Sequence, residues 1–243
     1  MVTILATGIF PKDRKRNSMI IVSGGVRGGS GKTIIATNLA VIRANKGKVV
    51  LLVDGGEQEM ATQFTSIRES QRGDAGYAGI KFTGSALDEE IRNLKRGYDD
   101  IVIDVGGRNT TGLRAALAIA DVFLVPFIPG SDDLATMKAT SNLVGDVREV
   151  NPRLRVYAFT NMANLNRIGE TGKRNYNIGT ALRKSEQLTF VNTSIGNRHA
   201  FMNAALLGAS VVEMEPKNPE ATKEIMTLYR VAFQGKAQSA LIQ

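Results

Sequence analysis

Residues 24–33 read Gly24-Gly25-Val26-Arg27-Gly28-Gly29-Ser30-Gly31-Lys32-Thr33, a run of residue types suited to holding phosphate. The apolar run Met19-Ile20-Ile21-Val22 stands directly before it, and a helical pattern from Ile34 to Asn45 directly after. A strand, a glycine-rich loop and a helix start make an anion cradle. Glycines let backbone N–H groups turn inward, and the helix N-terminus adds partial positive charge. In such a cradle Lys32 reaches the β- and γ-phosphates and the Thr33 hydroxyl ligates Mg2+. Gly28, Gly29, Ser30, Gly31 and Ile34 complete the expected phosphate-binding set.

Two carboxylates follow at strand ends. The apolar run 48–53 stops at Asp54, and Ile101-Val102-Ile103 stops at Asp104. A carboxylate at a strand's carboxyl end, close to a phosphate loop, can orient Mg2+ and its waters. Asp54 and Asp104 therefore join Thr33 as candidate metal ligands. Other chemistries fit less well. His199 is the sole histidine and has no serine or cysteine nucleophile context, so it reads as structural. The Gly28-Gly29 pair departs from the Gly-x-Gly-x-x-Gly spacing of a dinucleotide site.

These residues need a sheet to bring them together. Short runs rich in Val and Ile predict strands at 19–23, 48–53, 78–82, 100–104, 121–126, 154–160 and 188–192. Helical patterns fall at 32–46, 59–71, 85–96, 111–120, 132–150, 170–186, 198–207 and 218–233. Strands alternating with helices imply an α/β fold: a mostly parallel twisted sheet of about seven or eight strands, covered on both faces. Ligands in such sheets bind beyond the carboxyl ends of the strands. The domain is expected to span 19–234, with 1–18 as an N-terminal extension and 235–243 as a tail. In residues 1–18 the basic cluster (Lys12, Arg14, Lys15, Arg16) follows the apolar stretch, the reverse of a secretory signal.

Composition narrows the class further. The chain has 243 residues and is 43% hydrophobic, enough for one large core. It has no cysteine, which excludes a disulfide framework, a cysteine-held zinc and an iron–sulfur cluster. It has no apolar run long enough to span a bilayer. A net charge of +8 favours an anionic polymer or surface as partner. Candidate contacts are Arg167, Lys173, Arg174, Arg198, Lys217 and Arg230, without the aromatic interleaving that reads bases.

The loop text, basic-Gly-Gly-x-Gly-Lys-Thr, resembles the deviant Walker A loop of the ParA/MinD family of P-loop ATPases. Arg27 stands where that family has a lysine that reaches into the partner subunit's nucleotide. Asp54 and Gln58 match the family's Asp-x-Asp-Pro-Gln text, but the second Asp, which helps activate the attacking water, falls on Gly56. Loss of a general base slows turnover by roughly 10²–10⁴-fold, with neighbouring Glu57 a candidate substitute. Asp104 corresponds to the Walker B carboxylate. Val105-Gly106-Gly107-Arg108 corresponds to a switch loop that responds to the γ-phosphate. Asn161 matches the residue that bonds the adenine edge, and Gly196 lies in a second adenine-pocket loop where the family has Pro. The block from Thr193 to Pro216 keeps the family order of strand end, loop, helix, Gly208, short strand and Pro216.

The resemblance runs from about Met19 to Phe233 and is nearest to small plasmid-partition ATPases. It implies a Mg2+-dependent ATPase, cytoplasmic and nucleoid-associated, that closes as a homodimer over ATP. That dimer would bind double-stranded DNA non-specifically. It would be released when a ParB-like centromere-binding protein or a cargo adaptor stimulates hydrolysis. In this reading Lys32, Arg27 and Asp54 carry the reaction. Three alternatives share the core: a positioning ATPase for a protein cargo over the nucleoid, a MinD-like membrane switch and a metabolic synthetase. The short, mostly polar end Gly235–Gln243 argues against the membrane switch.

Overall fold

The computed structural model describes residues 3–4, 18–82, 87–106, 110–130, 133–163 and 178–235. Its centre is β2 (Met19–Ser23), an apolar strand paired in parallel with β5 (Asp100–Asp104) on one side and β6 (Val122–Phe127) on the other. Outward from β5 lie β3 (Val50–Asp54) and β4 (Ala78–Lys81); outward from β6 lie β7 (Arg155–Ala163) and β8 (Thr189–Gly196). These seven strands are parallel. The short β1 (Thr3–Ile4) adds an antiparallel edge against β4, giving the order β1-β4-β3-β5-β2-β6-β7-β8. The expected α/β sheet is thus present.

Side-chain alternation sends each strand into two cores. Ile20 and Val22 face a layer made by α3 (Leu87–Leu94), α4 (Thr110–Ile119), α5 (Asp133–Val150) and the helical residues 178–183, here α6. Ile21 faces α1 (Lys32–Ala44), α7 (His199–Leu206) and α8 (Pro219–Gln234). Beside α1, α2 (Met60–Arg72) packs on Leu52 through Ala61 and Phe64. Each fully buried Leu, Ile or Phe contributes ~1.5–3 kcal/mol, which stabilises the sheet that carries the site.

Two expectations shift. β7 and β8 run three to four residues past their expected ends at 160 and 192, because buried positions continue through Ala163 and Ile195. The short strand expected between Gly208 and Pro216 is instead a 3-10 turn, Val211–Glu213. The Ser210 hydroxyl accepts from the Val212 N–H, and the Glu213 carboxylate accepts from the Ser210 N–H at 3.0 Å, closing a capping box that a strand would break. Of the expected helix 170–186, residues 178–186 fall among the described residues, and the helix ends at 183.

Candidate nucleotide-binding site

The chain reverses direction across the sheet beside β2, which places the 24–31 loop at the topological switch point. The register sets Ser23 opposite Asp104 and Asp54 opposite Asp104, so the loop and both carboxylates leave the sheet side by side. Gly31 caps α1 in the left-handed conformation (φ 84°) and offers no side-chain cap. A helix leaves its first-turn N–H groups without intrahelical partners, so this end of α1 is suited to an anion. Gly28 and Gly29 are exposed, with open space where a Cβ would stand. Ser30 is buried, its hydroxyl 3.4 Å from the Arg27 carbonyl.

Lys32 is folded back onto its own loop. Its ammonium donates to the Arg27 carbonyl at 2.8 Å and lies 3.5 Å from Ser30 Oγ. Burial lowers its pKa, and the nearby Asp104 carboxylate opposes that shift. Gly106 packs against this lysine: a Cβ there would stand 2.9 Å from Lys32 Cε and 2.6 Å from the Gly25 carbonyl. Gly107 and Arg108, the rest of the expected switch loop, lie outside the described residues.

Asp104 is 4% exposed and accepts a 2.6 Å hydrogen bond from Thr33 Oγ1. Burial pushes its carboxyl up to about 7, and repulsion from Asp54 adds to the rise. The Thr33 bond and the Lys32 charge pull the other way. A hydroxyl and a buried carboxylate, both hard oxygen donors, suit Mg2+, whose charge would favour the ionised form. Thr33 and Asp104 are therefore the residues that would hold the metal.

Asp54, the other expected metal ligand, receives backbone donors. Its Oδ1 accepts from the Gly56 N–H at 3.0 Å and its Oδ2 from the Thr62 N–H at 2.8 Å, so it shapes the β3–α2 loop and caps α2. That loop also holds Glu59 in a left-handed conformation (φ 54°), ion-paired to Lys81 at the end of β4. Sequence reading missed this clamp.

The remaining candidates divide. Asn161 is 4% exposed, and its amide donates to the Ser30 carbonyl at 2.6 Å. The Gly196 N–H donates to Glu224 on α8 at 3.0 Å. The same carboxylate holds Arg198, expected as a DNA contact, at 2.7 Å, so its guanidinium is half-buried in an ion pair with Glu224. Lys217 and Arg230 are exposed, Lys217 lying 3.8 Å from Glu215. Arg167, Lys173 and Arg174 lie outside the described residues. His199 is exposed at the start of α7.

A buried polar network behind α1 and α2 also escaped sequence reading. Arg68 donates to both Glu213 oxygens, to the Ala75 carbonyl and to the Gly208 carbonyl. Asn38 accepts from Ser210 Oγ at 2.7 Å and from the Val211 N–H at 2.9 Å. The one sequence cue was Gly208 after a helix: a Cβ there would stand 2.4 Å from the Arg68 backbone nitrogen.

The pattern of the CobQ/CobB/MinD/ParA nucleotide-binding domain matches residues 20–208. Maintenance of carboxysome distribution protein A of Halothiobacillus neapolitanus is 26% identical over 211 residues, 82% of this chain and 89% of that protein. Among solved structures, an ATP complex of a Cyanothece McdA variant superposes with a TM-score of 0.72 at 15% identity, covering 90% of this chain and 97% of that one. A plasmid partition protein from Borrelia burgdorferi superposes with a TM-score of 0.62 at 18% identity, covering 91% and 100%.

Proposed function

This chain belongs to the CobQ/CobB/MinD/ParA nucleotide-binding family, and from that premise we propose that it is an ATP-gated switch of the ParA type. In its ATP state it closes as a homodimer and holds double-stranded DNA without regard to sequence. A partner protein then stimulates hydrolysis and releases it. The observation that carries this reading is the Gly31-capped helix with Lys32 above it and the Thr33–Asp104 pair at its foot.

Lys32 gives its charge to the phosphates in place of the Arg27 carbonyl. Thr33 and Asp104 would hold Mg2+, which would neutralise charge on the transferring phosphoryl group. Arg27 acts across the dimer: its guanidinium is always charged and forks its donors, so it clamps phosphate as a lysine would, with different geometry. Hydrolysis is slow because Gly56 supplies no carboxylate, and Asp54 is committed to the Gly56 and Thr62 N–H groups.

A dimer doubles a basic surface too weak to hold DNA alone. Among the described residues, Lys217, Lys223 and Arg230 are exposed contributors to that surface. The cargo reading divides between plasmid DNA and a protein assembly spaced over the nucleoid. The near full-length match to a carboxysome distribution protein favours the protein assembly, with a cargo adaptor in the ParB-like role.

The test is binding to unrelated DNA sequences with ATP, with ADP and without nucleotide, at two salt concentrations. Sequence-blind binding only with ATP, falling steeply with salt, is expected. Equal binding in all three states would reject the switch.

A further inference from the structure

The resemblance assigns Asn161 to the adenine edge, but its amide is turned to the phosphate loop. β7 carries one extra residue here: Thr160 pairs with Ser194 and Ala163 with Gly196, so 161–162 oppose a single residue of β8. Such a bulge re-aims a side chain. Met162 takes a left-handed φ of 51°, a conformation uncommon for a non-glycine residue. The bulge is fastened on both sides, by the Thr160–Ser194 hydroxyl pair at 2.5 Å and by the Asn197 N–H donating to the Ala163 carbonyl at 3.0 Å. The result is a buried amide delivered to the Ser30 carbonyl at 2.6 Å.

The seat is matched on the loop side. A Cβ on Gly31 would stand 2.2 Å from Asn161 Nδ2, so the amide fits only against glycine. In a planar trans peptide the carbonyl and the following N–H point in opposite directions. Fixing the Ser30 carbonyl toward Asn161 therefore turns the Gly31 N–H the other way, into the cradle.

We infer that Asn161 is a positioning residue for the phosphate loop, acting on phosphate affinity through the Ser30–Gly31 peptide and indifferent to the base. This rests on the nucleotide reading of the loop given above. It makes the β7 bulge the support of the phosphate site, and leaves discrimination among bases to other residues.

The test titrates ATP, GTP and inorganic tripolyphosphate, each with Mg2+, into the parent, Asn161→Ala and Asn161→Asp by calorimetry, alongside ligand-free thermal melts. Asn161→Ala is expected to weaken all three ligands by one common factor, roughly five- to tenfold for one lost hydrogen bond. Asn161→Asp keeps the shape but sets a carboxylate against a carbonyl, so it weakens them further, and its melt falls because the buried carboxylate has lost its partner. Loss confined to ATP, with tripolyphosphate unchanged, would overturn the inference in favour of a base contact. Unchanged binding of all three by the folded Asn161→Ala protein would also overturn it. A parent that binds none of the three would instead reject the nucleotide reading itself, and this inference with it.

Discussion

Thr33 Oγ1 donates to Asp104 Oδ2 across 2.6 Å, joining the first turn of α1 to the end of β5 although the two residues are 71 apart in sequence. The contact follows from the register of β2 with β5, which brings the loop after one strand against the last residue of the other. It places two oxygens where the proposed function needs a metal.

Asp104→Asn separates function from stability. Burial holds the Asp104 carboxyl up at about 7, so at pH 8 the ionised group is a cost to the metal-free fold. The amide removes that cost and also the metal ligand. At pH 8 the variant is expected to unfold at higher urea than the parent and to lose the Mg2+-dependent part of its nucleotide affinity. A less stable variant with full Mg2+ dependence would contradict the assignment.

Gly106→Ala tests the packing of Lys32. The substitution places a Cβ 2.6 Å from the Gly25 carbonyl, at a φ of 143° that L side chains rarely adopt. The expected cost is ~2 kcal/mol or more, with ATP affinity falling beyond what the loss of stability explains. Urea titration and calorimetry on the same preparation check both.

Gly56→Asp restores the carboxylate that the family carries. Its Cβ would lie 3.3 Å from Asp54 Oδ1, and its charge would stand close to that carboxylate. Turnover in the presence of DNA and partner is expected to rise while thermal stability falls by ~1 kcal/mol. A steady-state ATPase assay with a parallel melt decides; a flat rate would show that Gly56 does not limit hydrolysis.

Acid should loosen the network behind α2. Burial alone would raise the Glu213 carboxyl, but hydrogen bonds from Arg68, Asn45 and the Ser210 N–H outweigh it and hold the group below its ordinary value. A lowered carboxyl adds stability that is complete above the unfolded value of about 4.3 and is lost as pH falls through the folded one. Glu213→Gln leaves the buried Arg68 guanidinium without its counter-charge, so ~3 kcal/mol is expected to go at neutral pH. The variant's urea midpoint should then depend less on pH on the acid side than the parent's does.

The sheet and the loop were legible because their signals are local. Apolar runs end at Asp54 and Asp104, and Gly-Lys-Thr opens a helix; each expected strand start falls within two residues of the observed one. What escaped depends on partners far along the chain. Nothing near Asn161 says that a bulge at Met162 will aim it at Ser30, 131 residues away. Nothing near Arg198 says that Glu224 will occupy it, and the short apolar run at Val211 reads as a strand until Arg68 and Asn45 draw Glu213 into a turn. The position of Asp54 was legible but its two backbone partners were not, since they belong to a loop whose shape no periodicity records.

The most direct test of the account is calorimetric titration of ATP with Mg2+ into the parent chain and into Lys32→Ala. Lys32 is the loop's own cation, held at 2.8 Å on the Arg27 carbonyl and available to phosphate. Measurable binding by the parent and none by Lys32→Ala is expected, with the variant's melt preserved. Equal affinity in the two proteins would contradict the nucleotide site and the switch built on it.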